Sequence, residues 1–394
     1  MMKNDDPVDE LVAKTSGLSP ITVLFVVDGE KAKIGDGEPK ATLSLSRETL
    51  RKMLNNEEDA TALFMKGELT IEGDIGAAAA FGQALQPADD TAPTAAPEPA
   101  GAENPNIAYL DNIGLIVQDL TGIRPKYEAL GFNLAARGTH YYERPEGVFT
   151  KWGTANHCVN FRDGGLLEFI GHYYPEHPAG LYGEQLKASG DHWGKITLHV
   201  NDCDLEIARL RRQGLPAAEP SILYRYTDGD VFDPAPSRSK KTHLFSYPNS
   251  FEDGFMTVGA QHTLGAFPIS EEHFNHPNGA LRMTFALIGA TALEATVKRY
   301  EEALSIQSTA LPTGRDIHLG RDTHLCFVSS ERLPDSLQAQ MGHRHIAVLG
   351  AGFEVRDVSA TQRYLEGADI PTEETPWGIG VTTPIPGGGA VFFG

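Results

Sequence analysis

The chain has 394 residues, of which 41% are hydrophobic and 22% are charged, and its formal net charge is −20. This length and composition predict two or three globular domains with a sizeable apolar core. The acidic balance argues against nucleic-acid or anionic-membrane binding, because both partners require a basic protein surface.

Cysteine content and the absence of targeting segments predict a cytoplasmic protein. The three cysteines are widely spaced, and no C-x-x-C pair is present, so neither a disulfide framework nor a thiolate zinc site is indicated. The first residues, MMKNDDPVDE, lack the apolar run of a signal peptide. No stretch approaches the length of a membrane-spanning helix, so we expect no membrane insertion.

The first part of the chain reads as a small unit of helices and strands. Residues 21–27 (ITVLFVV) form an apolar run of strand length, and Asp28-Gly29 is a hairpin turn signal. Ser46 is a favourable N-cap for a helix that continues to Leu54. Further helices are expected over residues 59–66 and 77–85, around a strand at 69–72.

Residues 1–85 resemble the sterol-carrier-protein family. The resemblance is carried by the motif FM-x-G-x-L-x-I-x-G-D, formed here by Phe64, Met65, Gly67, Leu69, Ile71, Gly73 and Asp74. It implies a domain that encloses an apolar ligand. A docking or dimerisation module is the alternative interpretation. Residues 86–106 (QPADDTAPTAAPEPAGAENPN) are rich in Pro, Ala and acidic residues, and predict a disordered linker.

The remainder of the chain repeats one unit: an apolar strand, a helix, and then three strands. The four copies begin at Leu110–Phe132, Lys195–Leu215, Met283–Leu304 and Ala351–Ile370. Their closing strands are predicted at Gly164–Gly171, Gly259–Gly265, Thr323–Val328 and Gly388–Gly394. We therefore expect two double-module domains, at residues 107–275 and 276–394.

The segments LDNIGLIVQDL and GTANHCVNFRDGGLLEFIG resemble the vicinal-oxygen-chelate superfamily, in particular its glyoxalase-like and extradiol-dioxygenase-like members. The resemblance implies an α+β fold in which the N-terminal unit is followed by four βαβββ modules that form two cupped mixed β-sheets. It also implies a homodimer, and one divalent metal held by side chains of the first and last strands of paired modules.

The resemblance also implies which positions of this sequence correspond to metal ligands. In the first cup they fall on Asn112, Glu168 and Lys195, and near Gln261 beside His262. An ammonium group has no lone pair, so Lys195 is unsuited to metal binding. In the second cup they fall on Met283 and Gly350, which predicts a metal-free, structural cup.

Two arrangements of the first cup remain open. In one, Glu168, His199 and His262 form a rearranged site for Fe, Mn, Ni or Zn. In the other, Glu168 pairs with Lys195 in a metal-free site, where a histidine such as His199 transfers protons and Asn112 lies at the former ligand position. A carboxylate inside an apolar strand is costly unless it is paired, which favours a functional role for Glu168.

These patterns leave three hypotheses for function. The first is an enzyme acting on an aromatic, polycyclic or steroid-like molecule by proton transfer, isomerisation, C–C lysis or oxygenation through an enolate. The second is a non-catalytic protein that binds or sequesters a hydrophobic ligand, suggested by the missing ligands at Asn112 and Lys195. The third is an assembly module in which the N-terminal unit recruits a partner.

Overall fold

The computed structural model describes most of the chain, namely residues 6–15, 22–35, 37–55, 63, 68–73, 104–143, 147–226, 232, 239–248, 253–264, 270–382 and 390–394. Several sequence predictions lie outside these residues: the linker up to residue 103, the helix at 77–85, the helix at 59–66 except Leu63, and Phe64, Met65, Gly67 and Asp74. Within the described part, no helix is both long and apolar enough to cross a membrane.

In the described residues of the N-terminal unit, a four-stranded sheet in the order β2-β1-β3-β4 is accompanied by two helices. Its elements are α1 (Pro7–Thr15), β1 (Val23–Val27), β2 (Glu30–Ile34), β3 (Ala41–Leu45), α2 (Arg47–Leu54) and β4 (Leu69–Gly73). The predicted cap at Ser46 is confirmed, since its Oγ accepts the Thr49 backbone N–H at 3.0 Å. Asp28 and Gly29 adopt positive φ angles of 50° and 86°, as a tight hairpin turn between β1 and β2 requires.

The rest of the described chain contains four βαβββ modules. Module 1 comprises β5 (Ile107–Val117), α3 (Leu120–Ala129), β6 (Gly138–Glu143), β7 (Phe149–Asn160) and β8 (Leu166–His172), and is followed by the extra helix α4 (Gly180–Ser189). Module 2 comprises β9 (His192–Val200), α5 (Cys203–Arg212), β10 (Ser221–Tyr226), β11 (Ser239–Ser246) and β12 (Met256–Leu264).

The second pair of modules repeats this element order. Module 3 comprises β13 (Ala280–Ala290), α6 (Leu293–Leu304), β14 (Thr309–Ala310), β15 (Gly314–Leu319) and β16 (Thr323–Ser329), and is followed by the extra helix α7 (Asp335–Met341). Module 4 comprises β17 (Ile346–Val355), α8 (Val358–Gly367), β18 (Glu373–Thr375), β19 (Gly378–Val381) and β20 (Ala390–Phe393).

The predicted α+β fold class is confirmed, but the two sheets differ in one respect. Modules 3 and 4 form an open eight-stranded sheet, in the order β14-β15-β16-β13-β17-β20-β19-β18. Modules 1 and 2 instead form a closed barrel, β10-β11-β12-β9-β5-β8-β7-β6. The closing step is the antiparallel pairing of β6 with β10, in which His140 lies opposite Arg225. The interior of the barrel is therefore surrounded by strands on all sides.

One apolar core joins the barrel to the open sheet. Residues of both contribute to a single buried cluster, in which the ring centroid of Phe132 lies 5.1 Å from that of Phe353 and 5.9 Å from that of Phe393. The N-terminal unit has its own core, and this core extends onto the barrel through the buried side chains of Leu181, Met256 and Val258.

Leu198→Ala should lower the free energy of unfolding by about 2–5 kcal/mol, because Leu198 is fully buried in the shared core and its truncation leaves a cavity. Leu205→Ala is the matched control: Leu205 is 63% exposed, and its truncation should change the free energy by no more than about 0.5 kcal/mol. Urea unfolding of the full chain measures both. Equal effects of the two substitutions would contradict the placement of this core.

Candidate functional site

An irregularity in β5 turns an acidic side chain into the barrel. Along the pairing of β5 with β9, Leu110 lies opposite Leu198 and Asn112 lies opposite Thr197, which leaves Asp111 as an extra residue in a β-bulge. A bulge re-aims side chains that strict alternation would send to opposite faces. Both Asp111 and Asn112 are consequently buried on the inner side, where the Asn112 amide donates to Asp111 Oδ2 at 2.8 Å.

Asp111 belongs to a group of three potential metal ligands in the barrel. His199 on β9 and His262 on β12 each offer a ring nitrogen, and the ligand atoms of the three residues lie within 4.8 Å of one another. His262 Nε2 is 2.8 Å from Asp111 Oδ1. Two imidazoles and one carboxylate form a ligand set that suits divalent first-row metals, including Fe(II) and Mn(II).

Neighbouring polar groups hold these three side chains in place. Thr197 Oγ1 donates to Asn112 Oδ1 at 2.9 Å, which in turn orients the amide that bonds to Asp111. Thr242 Oγ1 lies 3.0 Å from His262 Nδ1 and fixes the plane of that ring. Such outer partners are a normal part of a metal site, since they set the tautomer and direction of each ligand.

The protonation states also fit metal binding. Burial lowers the pKa of His199 to about 4, so its ring is neutral at pH 7 and has a free lone pair. His199 Nδ1 is buried and has no hydrogen-bond partner among the described residues. Burial alone would raise the pKa of Asp111, but the adjacent His262, together with Lys240 and His199, outweighs burial and holds the pKa below its usual range.

Two stacked side chains, those of Tyr109 and Arg321, cover one face of the His199 ring. The Tyr109 ring lies parallel to the His199 ring, with centroids 4.7 Å apart and an interplanar angle of 14°. The guanidinium carbon of Arg321 lies 3.9 Å from the centroid of Tyr109. Arg321 comes from the turn between β15 and β16, so the open sheet contacts the barrel site directly.

Glu168 and Lys195 form a buried ion pair across the barrel wall. They lie on β8 and β9, and each pairs with Gly114 on the intervening strand β5. Gly114 has no side chain, so Lys195 Nζ reaches over it to Glu168 Oε2 at 2.8 Å. Burial opposes both charges, but each group stabilises the other: the pKa of Glu168 is lowered and that of Lys195 is raised.

The ion pair continues into a polar network on the far side of the barrel. Asn156 Nδ2 donates to Glu168 Oε1, and Arg225 Nε donates to Asn156 Oδ1 at 2.8 Å. His140 lies nearby and is bonded to Thr154, with Nδ1 and Oγ1 2.7 Å apart. Burial lowers the pKa of His140 to about 4, which keeps its imidazole neutral at pH 7.

The structure thus arranges the candidate residues from the sequence in two groups. It brings His199 and His262 together, but the carboxylate beside them is Asp111, whereas Glu168 is bonded to Lys195 and Asn156. Gln261 faces away from the site: its side chain accepts from the Cys203 backbone N–H and donates to the Asn201 carbonyl. Asp111 was not among the residues predicted from sequence, although an acid within the apolar run IAYLDNIGLIV is the same signal that favours a functional role for Glu168.

The corresponding positions of the open sheet serve packing. Met283 lies in the shared core, and a side chain at Gly350 would collide with the backbone of Ala390. A second His/Asp group, formed by His318, Asp322 and His324, lies at the partly exposed turn between β15 and β16, away from these positions.

Family comparisons agree with this architecture. Residues 110–304 match the family model described as a glyoxalase-like domain, and residues 7–86 match the SCP-2 sterol transfer family. No curated protein sequence gives a significant match. The match to the glyoxalase-like domain spans modules 1 and 2 and the first strand and helix of module 3. This chain joins a glyoxalase-like domain to an N-terminal unit of the SCP-2 sterol transfer family.

The comparison with solved structures gives matches of low sequence identity, each with a TM-score below 0.5. A hypothetical protein from Staphylococcus aureus is 11% identical with a TM-score of 0.48, covering 72% of this chain and 98% of its own. The Mn(II)-bound glyoxalase from Novosphingobium aromaticivorans is 10% identical with a TM-score of 0.43, and the match covers 73% of this chain and 82% of that chain. A xylose isomerase-like TIM barrel/4-hydroxyphenylpyruvate dioxygenase fusion protein is 14% identical with a TM-score of 0.41. This match covers 71% of this chain and 42% of that chain.

Lys195→Met should destabilise the protein by about 3–5 kcal/mol, because it leaves the Glu168 carboxylate buried without its counter-charge. Adding Glu168→Gln should restore part of this loss, which the double-mutant cycle measures by urea unfolding. The exposed pair of Arg211 with Glu219 is the control, and Arg211→Met should cost at most about 1 kcal/mol. If the losses in the free energy of unfolding of the two single variants simply add up in the double variant, the coupling between Lys195 and Glu168 is contradicted.

The same pair predicts how stability depends on pH. Folding lowers the pKa of Glu168, so its contribution is present above its unfolded pKa of about 4.3 and is lost as the pH falls below that value. The Lys195→Met/Glu168→Gln variant should therefore lose less stability than wild type between about pH 5 and pH 2. Urea unfolding across this range measures the difference, and parallel pH profiles would contradict it.

Proposed function

We propose that the chain is a metal-dependent enzyme that acts on a hydrophobic small molecule of the aromatic, polycyclic or steroid-like class. The reaction proceeds through an enolate-type species and results in proton transfer, isomerisation, C–C lysis or oxygenation. The observation that carries the proposal is the group of Asp111, His199 and His262, whose ligand atoms lie within 4.8 Å of one another inside the barrel.

The residues of this group fit a divalent metal such as Fe, Mn, Ni or Zn. His199 is neutral and has an unpartnered buried nitrogen, while Asp111 is ionised and oriented by Asn112. A metal bound there supplies Lewis-acid stabilisation of a negatively charged substrate oxygen.

The remaining polar residues of the barrel position charges and protons. Lys195 keeps its proton at neutral pH because Glu168 stabilises it, so the pair acts as a fixed dipole in the barrel wall. The neutral imidazole of His140, on β6, is able to accept a proton from a substrate carbon. Asn112 and Thr197 hold Asp111 in place, and we assign them positioning roles.

The N-terminal unit is further evidence that the substrate is hydrophobic. Residues 7–86 match the SCP-2 sterol transfer family. The apolar core of this unit extends onto the barrel domain at Leu181, Met256 and Val258. We propose that this unit binds the apolar ligand or its precursor beside the barrel.

Metal content tests the site. We expect wild type purified without chelators to contain near-stoichiometric Fe, Mn, Ni or Zn by elemental mass spectrometry, and Asp111→Asn to contain only background metal, because it removes a charged ligand. Asp204→Asn, at an exposed position of α5, is the matched control and should retain the metal. Equal metal content in the two variants would contradict the assignment of Asp111.

Hydrogen exchange distinguishes an enzyme from the alternative, a protein that only sequesters its ligand. The neutralisation of Glu168 by Lys195 favours that alternative, since it removes one carboxylate from catalysis. Metal-loaded protein incubated in D₂O with enolisable aromatic acids and ketones should remove the α-proton signal of at least one compound by NMR. Asp111→Asn should abolish this exchange, and binding without exchange for every ligand would favour sequestration.

A further inference from the structure

The hairpin of β15 and β16 carries a second set of potential metal ligands, outside the barrel. His318 and His324 lie directly opposite each other on the two antiparallel strands, and their ring centroids are 4.9 Å apart. Asp322 lies in the turn that joins the strands. One ligand atom from each of these three residues, here called the turn group, lies within 4.8 Å of the others. Directly opposed residues of an antiparallel pair share a face, so the hairpin itself gathers the group.

The spacing within the turn group is close to that of the ligands around a small divalent cation. Oδ1 of Asp322 lies 3.5 Å from Nε2 of His324 and 4.0 Å from Nε2 of His318. Ligand atoms with bonds of about 2.0–2.1 Å to a tetrahedral zinc lie about 3.3 Å apart. The His318 side chain is 58% exposed, so a change in its torsion angles supplies the small inward movement that a bound cation requires.

Two further side chains orient the turn group. Asp316 Oδ2 lies 2.9 Å from Nδ1 of His324, so this carboxylate accepts the Nδ1 proton and directs Nε2 toward Asp322. Arg282 donates to Oδ2 of Asp322 at 2.9 Å, which leaves Oδ1 facing the histidines. A carboxylate behind a histidine ligand is common at zinc sites, because it fixes the tautomer and makes the ring a stronger ligand.

The turn itself adopts a backbone conformation that is costly for its residues. Arg321 and Asp322 have φ angles of 54° and 53°, in the left-handed region that favours glycine. A contact from outside the turn stabilises this conformation, since Arg282 donates to the Arg321 carbonyl at 2.8 Å. A cation held jointly by Asp322 and by one histidine of each strand would stabilise the same conformation.

The conformation of the turn also affects the barrel. Arg321 places its guanidinium over Tyr109, the ring that stacks on His199. Thr323, the first residue of β16, accepts the Leu110 backbone N–H at its Oγ1, at 2.9 Å. Leu110 immediately precedes the bulge in β5. The turn therefore contacts the barrel on both sides of the strand segment that carries the candidate metal ligand of β5.

We propose that the turn group binds a divalent first-row cation such as Zn²⁺. The bound cation fixes the turn that holds Arg321 over Tyr109. Two imidazoles and a carboxylate suit Zn²⁺, Ni²⁺ and Cu²⁺, whereas Mg²⁺ and Ca²⁺ prefer sites made of oxygen atoms alone. The Asp322 side chain is 71% exposed, so water completes the coordination and the cation exchanges with solvent. The site therefore responds to added zinc and empties during purification in zinc-free buffer.

Zinc binding by the full chain tests the proposal. Chelator-treated protein is dialysed at pH 8, where imidazole is neutral, against micromolar Zn²⁺, and elemental mass spectrometry counts the bound metal. Wild type should bind about one equivalent more than His318→Asn/His324→Asn. The single substitution His318→Asn should weaken this binding by about tenfold or more. His343→Asn, at an exposed histidine of the same half of the chain, is the matched control and should bind zinc as wild type does.

Substitution of the two aspartates separates a built site from adventitious binding to exposed histidines. Asp316 is a positioning residue, and Asp316→Asn should weaken zinc binding by about tenfold, as the loss of an outer partner does at metal sites. Asp322→Asn removes a ligand and should weaken it at least as much. Zinc binding that is unchanged in both variants would overturn the proposal. Displacement of the zinc by millimolar Mg²⁺ would also overturn it, because the site would then be a general cation site.

Hydrogen exchange measured by mass spectrometry tests the effect of the cation on the turn. Zinc should slow exchange in peptides that cover residues 314–329 of wild type, and should have no such effect in His318→Asn. Asp111→Asn should respond to zinc as wild type does, which keeps this proposal separate from the metal site inside the barrel. Zinc binding without slower exchange at the turn would overturn the role assigned to the cation.

Discussion

The pairing of β6 with β10 closes the first sheet into a barrel, and the arrangement of the site follows from that closure. A cup that is open on one side would hydrate the side chains on its inner face. In the closed barrel, Glu168, Asn156 and Arg225 are buried, so each polar group must find a partner within the wall or in a ligand. Glu168 reaches Lys195 only because Gly114, on the strand between them, has no side chain to block the contact.

The polar side chains inside the barrel fall into two classes: those whose hydrogen-bonding groups have protein partners, and those that lack such partners among the described residues. The Glu168–Lys195 pair and its amide neighbour form a closed network, which gives the barrel rigidity and leaves little capacity for titration near neutral pH. The buried Nδ1 of His199 has the opposite character, since it has no hydrogen-bond partner among the described residues. A metal or substrate gains the most binding free energy at buried polar groups that the protein itself leaves without partners, so such groups are candidates for function.

The repeat pattern in the sequence was sufficient to predict the four modules and the α+β fold, since strand-helix-strand periodicity is a local property of the chain. The site was harder to predict. Strict alternation places Asn112, rather than Asp111, on the inner face, and only the bulge in β5 brings both inward. A bulge depends on the register between strands far apart in sequence. The pairing of Lys195 with Glu168 was considered from sequence because both fall at ligand positions.

The contact of Arg321 with Tyr109 ties the two halves of the chain to one site. Modules 3 and 4 have no usable ligand at Met283 or Gly350, yet a turn of that half lies over the ring that stacks on His199. The barrel of modules 1 and 2 therefore depends on modules 3 and 4 for the alignment of its site. Modules 3 and 4 need no metal ligands of their own for this role, but the protein needs their presence. The open sheet thus serves as a scaffold for the barrel site, through the turn at residues 320–322 that carries Arg321 onto Tyr109.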